Sequence, residues 1–390
     1  MDIEIAPFEL ERWFAEYEHE ADIMLAESGI RSLPASRFDT DPGDLGYVIP
    51  TNGDPEFRAE IARRYDREAD EVLFTVGTQE ANFLAFLSLL SGRSAHGGDA
   101  ASSSRSASRN AHGGDAASSS RSASRNAHAV VVTPTYQALS AVPDAFGDVT
   151  TVSLDPPTWK LDVDAVADAI RPETRVIVLA NPNNPTGRYH SLETVEALYD
   201  LAAENDAYLL CDEVYRLLAE EPLPPVASMG EYGLSTTSLT KAYGLAGTRF
   251  GWLVGDREVI ERAWTWKDYT TISPSLFGQH VAKQALEPGT ESEILAENRA
   301  LAAEHRDRVA TFLDEHGLEW FEPVGVNGFV TVPEGFENGR EFCRTVVEEA
   351  SVVLAPGECF GFEDYFRIGF GLPTAELEDG LDRVGSVLEG

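Results

Sequence analysis

Two rhythms of apolar residues run along this chain. Leu10, Trp13, Phe14 and Tyr17 recur at helical spacing, and a second amphipathic stretch with Pro55 at its start runs from 55 to 65. Residues 72–76 then read as a short apolar strand, followed by Gly77-Thr78-Gln79-Glu80 and an apolar helix over 81–90. Further strands are predicted at 130–132, 149–154, 176–180, 207–211 and 250–254, with a helix at 192–205 among them. Alternation of this kind predicts an α/β fold whose mostly parallel sheet is flanked by helices on both faces. Past Pro274 the pattern turns helical to about Glu315, and strands near 328–332 and 365–369 make a smaller α+β part. The expected division is an N-terminal arm at 1–45 packing with the small domain, a large domain at 46–285, and a small C-terminal domain at 286–390.

One segment breaks the rhythm. Residues 95–110 are repeated identically at 111–126, rich in Ser, Ala, Gly and Arg. So little apolar area cannot offset the entropy of ordering, so 92–128 reads as a disordered surface insertion in the large domain.

Composition narrows the function. The chain has 390 residues, 43% of them apolar, enough for two domains. Cys211, Cys343 and Cys359 are odd in number and widely spaced, fitting neither a disulfide framework nor a zinc site, and no metal is expected. The start, Met1-Asp2-Ile3-Glu4, is acidic, and no apolar run could span a bilayer, so a cytoplasmic protein is expected. Charge is the outlier: 66 acidic against 30 basic residues, a formal net charge of −36. Concentrated salt, where charges are screened within about 3 Å, would make such a surface tolerable and points to a halophile. The same balance argues against nucleic acid and anionic membranes as partners.

Candidate chemistry centres on Ser238-Leu239-Thr240-Lys241-Ala242-Tyr243-Gly244-Leu245-Ala246-Gly247-Thr248-Arg249. A lysine among small and apolar residues can act as an amine and form a Schiff base with a carbonyl, as pyridoxal-phosphate chemistry requires. Ser238 and Arg249 would then hold the cofactor phosphate. A surface loop with an incidental Lys and Arg is the competing reading of this stretch alone. Gly77, Tyr136, Asn184, Asp212 and Lys241, however, all fall just past predicted strands, where ligands collect in open α/β sheets.

Asn184-Pro185-Thr186-Gly187, Asp212-Glu213-Val214-Tyr215, the lysine stretch and Phe366-Arg367-Ile368-Gly369 follow in order, and together they resemble the class I/II aminotransferases, the aspartate-aminotransferase-like group of fold-type I pyridoxal-phosphate enzymes. The resemblance runs from about Tyr47 to the C-terminus. It implies a ping-pong aminotransferase acting on an amino acid and a 2-oxo acid, with pyridoxal 5′-phosphate on Lys241. It further implies Asp212 at the pyridine nitrogen, Tyr215 and Asn184 at the phenolic oxygen, and Tyr136 on the ring face. Thr78, Gln79, Ser238 and Arg249 would hold the phosphate, and Arg367, beside Asn184, the substrate α-carboxylate. Tyr47 would reach the phosphate of a neighbouring subunit, hence a homodimer with shared sites. Dicarboxylate-specific members carry an arginine where Thr270-Thr271 stand here, which leaves Lys267 as a poor substitute and predicts a neutral amino donor. Leu10-Glu11-Arg12-Trp13 and Ser28-Gly29-Ile30-Arg31 resemble the capreomycidine-synthase-like branch, so a lyase, decarboxylase or cyclase on the same scaffold stays open. A non-enzymatic regulator on this scaffold is the remaining alternative, and it would need a DNA-binding domain ahead of it.

Overall fold

A computed structural model describes residues 4–91 and 127–390. Helices α1 (Glu9–Tyr17) and α2 (Pro55–Arg63) precede β1 (Val72–Thr75) and α3 (Thr78–Leu90). Next come β2 (His128–Thr133), α4 (Ala138–Phe146), β3 (Asp148–Ser153), α5 (Val163–Ala169), β4 (Thr174–Ala180), α6 (Leu192–Glu204) and β5 (Tyr208–Asp212). They are followed by β6 (Gly233–Ser238), β7 (Gly251–Val254), α7 (Arg257–Lys267), α8 (Leu276–Ala285) and α9 (Pro288–Glu315). The chain closes with β8 (Asn327–Thr331), α10 (Gly339–Ala350), β9 (Ala355–Pro356), β10 (Tyr365–Gly369) and α11 (Thr374–Glu389).

Seven strands form one sheet in the order β1-β7-β6-β5-β4-β2-β3, and only β7 runs against its neighbours. The interior strand β4 carries Val176, Ile177, Val178 and Leu179 buried on both faces, the continuous apolar run that a parallel sheet covered by helices demands. At the edge, β3 (Asp-Val-Thr-Thr-Val-Ser) buries only Val152, as an unpaired rim tolerates. β8, β10 and β9 make a second, antiparallel sheet. No helix among the described residues is long and apolar enough to cross a membrane.

The expected mostly parallel sheet is present, with two local differences. α3 begins at Thr78 rather than Ala81, because Gly77 turns the chain at φ 87° and the polar Thr78-Gln79-Glu80 make the first turn. The predicted insertion lies outside the described residues apart from Ala127 and His128. His128 opens β2 as a buried residue, its ring nitrogens 2.7 and 2.9 Å from the hydroxyls of Thr174 and Thr150.

From α1 to Arg31 the chain is fastened to the second sheet and the residues flanking it. Trp13 Nε1 donates to the Leu354 carbonyl at 2.8 Å, and Ile23 bridges Val352. The segment after it runs beside β10: Gly369 N donates to Leu25 O at 2.5 Å, and Arg31 N to Gly371 O at 2.6 Å. Gly369 has no room for a side chain, since a Cβ there would lie 1.7 Å from Glu27 O. This seam lays residues 26–29 across the carboxyl ends of the large sheet.

Candidate active site

The strand ends meet at a cavity of about 270 Å³ lined by Thr78, Gln79, Tyr136, Asn184, Asp212, Tyr215, Ser238, Lys241, Arg249 and Arg367. Ten of the site residues expected from sequence therefore come together. Tyr47 does not: it is 74% exposed and lines no part of this cavity.

One end is built for an anion. The first turn of α3 presents unpaired backbone N–H groups, and the buried Thr78 hydroxyl has no hydrogen-bond partner. Arg249 closes the other side, held in a left-handed conformation (φ 47°) so that its guanidinium reaches over Gly77. A Cβ on Gly77 would sit 2.8 Å from Arg249 Nη2, so glycine here admits the arginine as well as the turn. Ser238, at the end of β6, is buried beside them.

Asp212 ends β5 and lies buried in the cavity wall. Asn82 Nδ2 donates to its Oδ2 at 2.9 Å and Val214 N to its Oδ1 at 3.2 Å, while Thr236 Oγ1 donates to Asn82 Oδ1 at 2.6 Å. Burial pushes the Asp212 carboxyl up to about 6, against the opposing pull of Asn82, Val214 N–H and Lys241. A cation placed against it would reverse that shift. Glu213, next in sequence, serves structure instead, accepting from Val226 N (2.6 Å) and Ser235 Oγ (2.9 Å) and pairing with Arg216 at 3.3 Å.

Lys241 Nζ donates to Ser28 Oγ at 3.1 Å. Arg367, 1% exposed, donates from Nη1 to Asn184 Oδ1 (2.9 Å) and from Nη2 to Ala26 O (2.7 Å). Its Nε is buried without a partner, and burial lowers the guanidinium's pKa. Because Arg367 occupies the Asn184 oxygen, the amide N–H of Asn184 is left to donate. Tyr136 is tied by its hydroxyl to Glu11 at 2.9 Å and packs on Phe8 with ring centroids 4.9 Å apart.

Sequence reasoning missed Asn82, Ser28, Glu11, Glu27, Leu10 and Phe14, all of which also line the cavity. Asn82 had a local signal, the one amide among the apolar residues at 81–87 of α3. Lys267 moves the other way. Fully buried, it pairs with Glu80 at 2.9 Å and bonds Thr271, and it is no part of the cavity wall. Its ammonium is spent on the start of α3 and is not offered to a substrate.

The unpaired Thr78 hydroxyl, the guanidinium over Gly77 and the buried acid beside a lysine fit an aromatic aldehyde phosphate with a basic ring nitrogen. Comparison with known proteins agrees. The sequence model described as aminotransferase class I and II matches residues 116–384. The chain is 29% identical to the capreomycidine synthase of Streptomyces vinaceus over 97% of this chain and 93% of that protein. It is 30% identical to aromatic-amino-acid aminotransferase 2 of Thermococcus litoralis, over 59% of this chain and 61% of that one. The chain thus spans less than two thirds of the Thermococcus protein's length. A PLP-dependent aminotransferase structure from Streptococcus suis superposes with a TM-score of 0.85 at 26% identity, covering 100% of this chain and 98% of that one. The chain belongs to the class I and II aminotransferase family, pyridoxal-phosphate-dependent enzymes that move an amino group between amino acids and 2-oxo acids.

Proposed function

We infer that this chain performs that transfer at the cavity just described, with Lys241 as its proton-carrying amine. The observation that carries the reading is that Lys241, Asp212 and Arg367, carried by separate elements of the chain, line one cavity. Bound there, pyridoxal phosphate supplies the electron sink that makes an amino acid's Cα–H acidic. Lys241 would hold its aldehyde carbon, and Thr78, Gln79, Ser238 and Arg249 its phosphate. Asp212 would keep a proton on the ring nitrogen, and Tyr215 with the Asn184 amide would donate to the ring oxygen. Tyr136 covers the ring face, steadied by Glu11 and Phe8. Arg367 grips the α-carboxylate, its unpaired Nε finding an acceptor there. The Lys241 amine would carry the substrate's Cα proton to the carbon it would otherwise hold, the move that amino transfer requires.

With Lys267 bound to Glu80, the basic residues among the described ones that line the cavity are Lys241, Arg249 and Arg367, each with a role of its own, which supports a donor other than aspartate or glutamate. A homodimer is part of the reading. Leu45, Tyr47 and Ile49 are exposed at 74, 74 and 82%, and Tyr269 and Phe277 at 84 and 51%. The two segments adjoin, since Trp264 Nε1 donates to Thr51 Oγ1 (3.2 Å) and Asp54 N to Gln279 Oε1 (3.0 Å). So much apolar surface at one place suits a second copy, with Tyr47 reaching its site. Two separate sheets support a division near 285, with the arm at 1–45 joined to the smaller part.

Borohydride reduction of the yellow holoenzyme followed by peptide mapping tests the assignment. The label is expected on Lys241 and on none of Lys160, Lys267 or Lys283, and a different lysine would overturn it. Elimination or ring closure is the second reading, favoured by a similarity to the Streptomyces vinaceus synthase that covers nearly the whole chain, the Ser28 segment included. Conversion of bound cofactor to its amine form by an amino donor separates the two.

A further inference from the structure

We propose that Glu80 and Lys267 are positioning residues for the cofactor phosphate: Glu80 fixes the turn that presents the N–H groups, and Lys267 cancels the charge of Glu80 toward the anion. The proposal rests on the cofactor reading above and concerns two residues outside the cavity wall.

The turn ahead of α3 is tied from several sides. Glu80 Oε2 accepts from Val76 N at 2.7 Å. Arg249 Nη2 donates to Val76 O at 3.4 Å, and Thr75 Oγ1 to Gly77 O at 2.9 Å. An acid at the third position of a helix ordinarily reaches back to the N–H of the capping residue, here Gly77. Glu80 reaches one residue further, to Val76, so the N–H groups of the first turn stay free for an outside acceptor. The buried, unpartnered Thr78 hydroxyl independently marks the place of that acceptor.

Holding the turn with a carboxylate sets a like charge beside the phosphate, and both lie at the same positive helix end. Burial pushes the Glu80 carboxyl up, but Lys267, the Thr271 hydroxyl and Val76 N–H outweigh it and hold the acid below its ordinary value, so it is ionised. Lys267 answers that charge. It is one of the four lysines in the chain, and it ends α7 with its side chain 0% exposed and Nζ 2.9 Å from Glu80 Oε2. Joining α7 to α3 does not require it. Val259, Ile260 and Ala263 of α7 already share an apolar cluster with Ala81, Leu84 and Ala85 of α3, and apolar contact needs no desolvated charge.

Thr270 and Thr271 complete the arrangement. Their hydroxyls donate to Glu80 Oε1 at 3.2 and 2.6 Å, and Lys267 Nζ donates to the Thr271 oxygen. Both Glu80 oxygens are thus held, which fixes the carboxylate and, through it, Val76.

The test titrates the apoprotein with pyridoxal phosphate, with pyridoxal and with inorganic phosphate, so that the phosphate is read apart from the ring and from turnover. K267M leaves the Glu80 carboxylate unpaired. It should weaken both phosphate ligands by about tenfold or more, as an uncompensated like charge in a low dielectric does, and pyridoxal little. K267M/E80Q removes the charge and keeps an acceptor for Val76 N, so both phosphate ligands should return to within about threefold of wild type. K267M/E80L is equally neutral but has no acceptor, and its phosphate affinity should again fall by about tenfold with pyridoxal little changed. Neither double variant buries an unpaired charge, so the two decide the matter even if K267M alone does not fold. Equal loss of pyridoxal and pyridoxal phosphate, equal phosphate binding by the two double variants, or a folded K267M that binds phosphate as wild type does would overturn the proposal. Should inorganic phosphate follow this ranking while the wild-type apoprotein forms no lysine adduct with pyridoxal phosphate, the cofactor reading fails and the positioning pair stands.

Discussion

Asn82 and Asp212 meet from opposite sides of the cavity floor, the amide of a helical residue donating to the carboxylate at 2.9 Å. Asn82 is itself fixed by Thr236 Oγ1 on its oxygen, which dictates that its nitrogen faces Asp212. A charged hydrogen bond of this kind favours the ionised acid, and burial opposes it. Asn82 is thus a positioning residue, acting through Asp212.

Asn82→Ala removes the first of those influences and leaves the second. The Asp212 pKa should rise further above its present value of about 6. A carboxylate is needed against the ring nitrogen, so the acid limb of kcat should move to higher pH. A merely structural residue would lower activity at every pH alike, and an unmoved limb in the variant would remove Asn82 from this role.

Asp212→Asn separates stability from function. The folded-state carboxyl stands at about 6 against its ordinary value of 3.8, so the folded apoprotein holds its proton more tightly than the unfolded chain does. Below pH 4 the two states are protonated alike, and as pH rises to 6 the folded state bears the cost of a buried charge. Two pKa units amount to about 3 kcal/mol, from which the asparagine variant must give back about 1 kcal/mol for one mismatched hydrogen bond. Apo-D212N should therefore be the more stable protein at pH 7–8 by roughly 1–2 kcal/mol in urea melts, with no advantage at pH 4. Its proton abstraction should be slower by orders of magnitude. A variant less stable than wild type at both pH values would contradict the buried-charge account.

Arg367→Lys keeps a charge and loses the fork. The native guanidinium spends one arm on Asn184 and one on Ala26 O, leaving Nε for the substrate. A lysine cannot serve three directions in a plane, and kcat/KM for amino acids should fall by about a hundredfold, or ~2.7 kcal/mol. Amines without an α-carboxylate should be affected little. A comparable loss with such amines would mean that the substitution had disturbed the fold instead of the clamp.

Several of the residues that sequence made legible share one property: their chemistry sits at or just past the end of a strand. Lys241, Asp212, Asn184 and Tyr136 are of this kind, and the alternation of apolar runs placed the strands that carry them. Ser28 meets Lys241 across 213 positions, Glu11 meets Tyr136 across 125, and Asn82 meets Asp212 across 130. No local periodicity encodes such meetings: the first two depend on how α1 and the arm dock, and the third on how α3 packs across the large sheet. The start of α3 was lost for a related reason. Its first turn is polar because it faces the cavity, so the apolar rhythm begins three residues late. Lys267, set aside from sequence as a poor partner for a second carboxylate, is engaged by Glu80 instead, a pairing across 187 positions that no local pattern encodes.

Salt should stabilise this protein, and the sign is not obvious beforehand. Screening weakens the exposed ion pairs, such as Arg383 with Asp22 and Arg308 with Glu304, but these contribute little each. The buried Lys267–Glu80 pair is hardly screened, lying out of water. Against those small losses stands the mutual repulsion of a chain with 66 acidic and 30 basic residues, which screening relieves throughout. Relief should win, and the melting temperature should climb by several degrees from 0.1 to 2 M KCl. Sucrose, which acts by exclusion from the surface and not by screening, provides the control. The rise in KCl should be steepest below about 0.5 M, where the Debye length shortens most, whereas exclusion grows evenly with concentration. A melting temperature that is flat in KCl, or that rises only as it does in sucrose, would show that the acidic surface is no adaptation to concentrated salt.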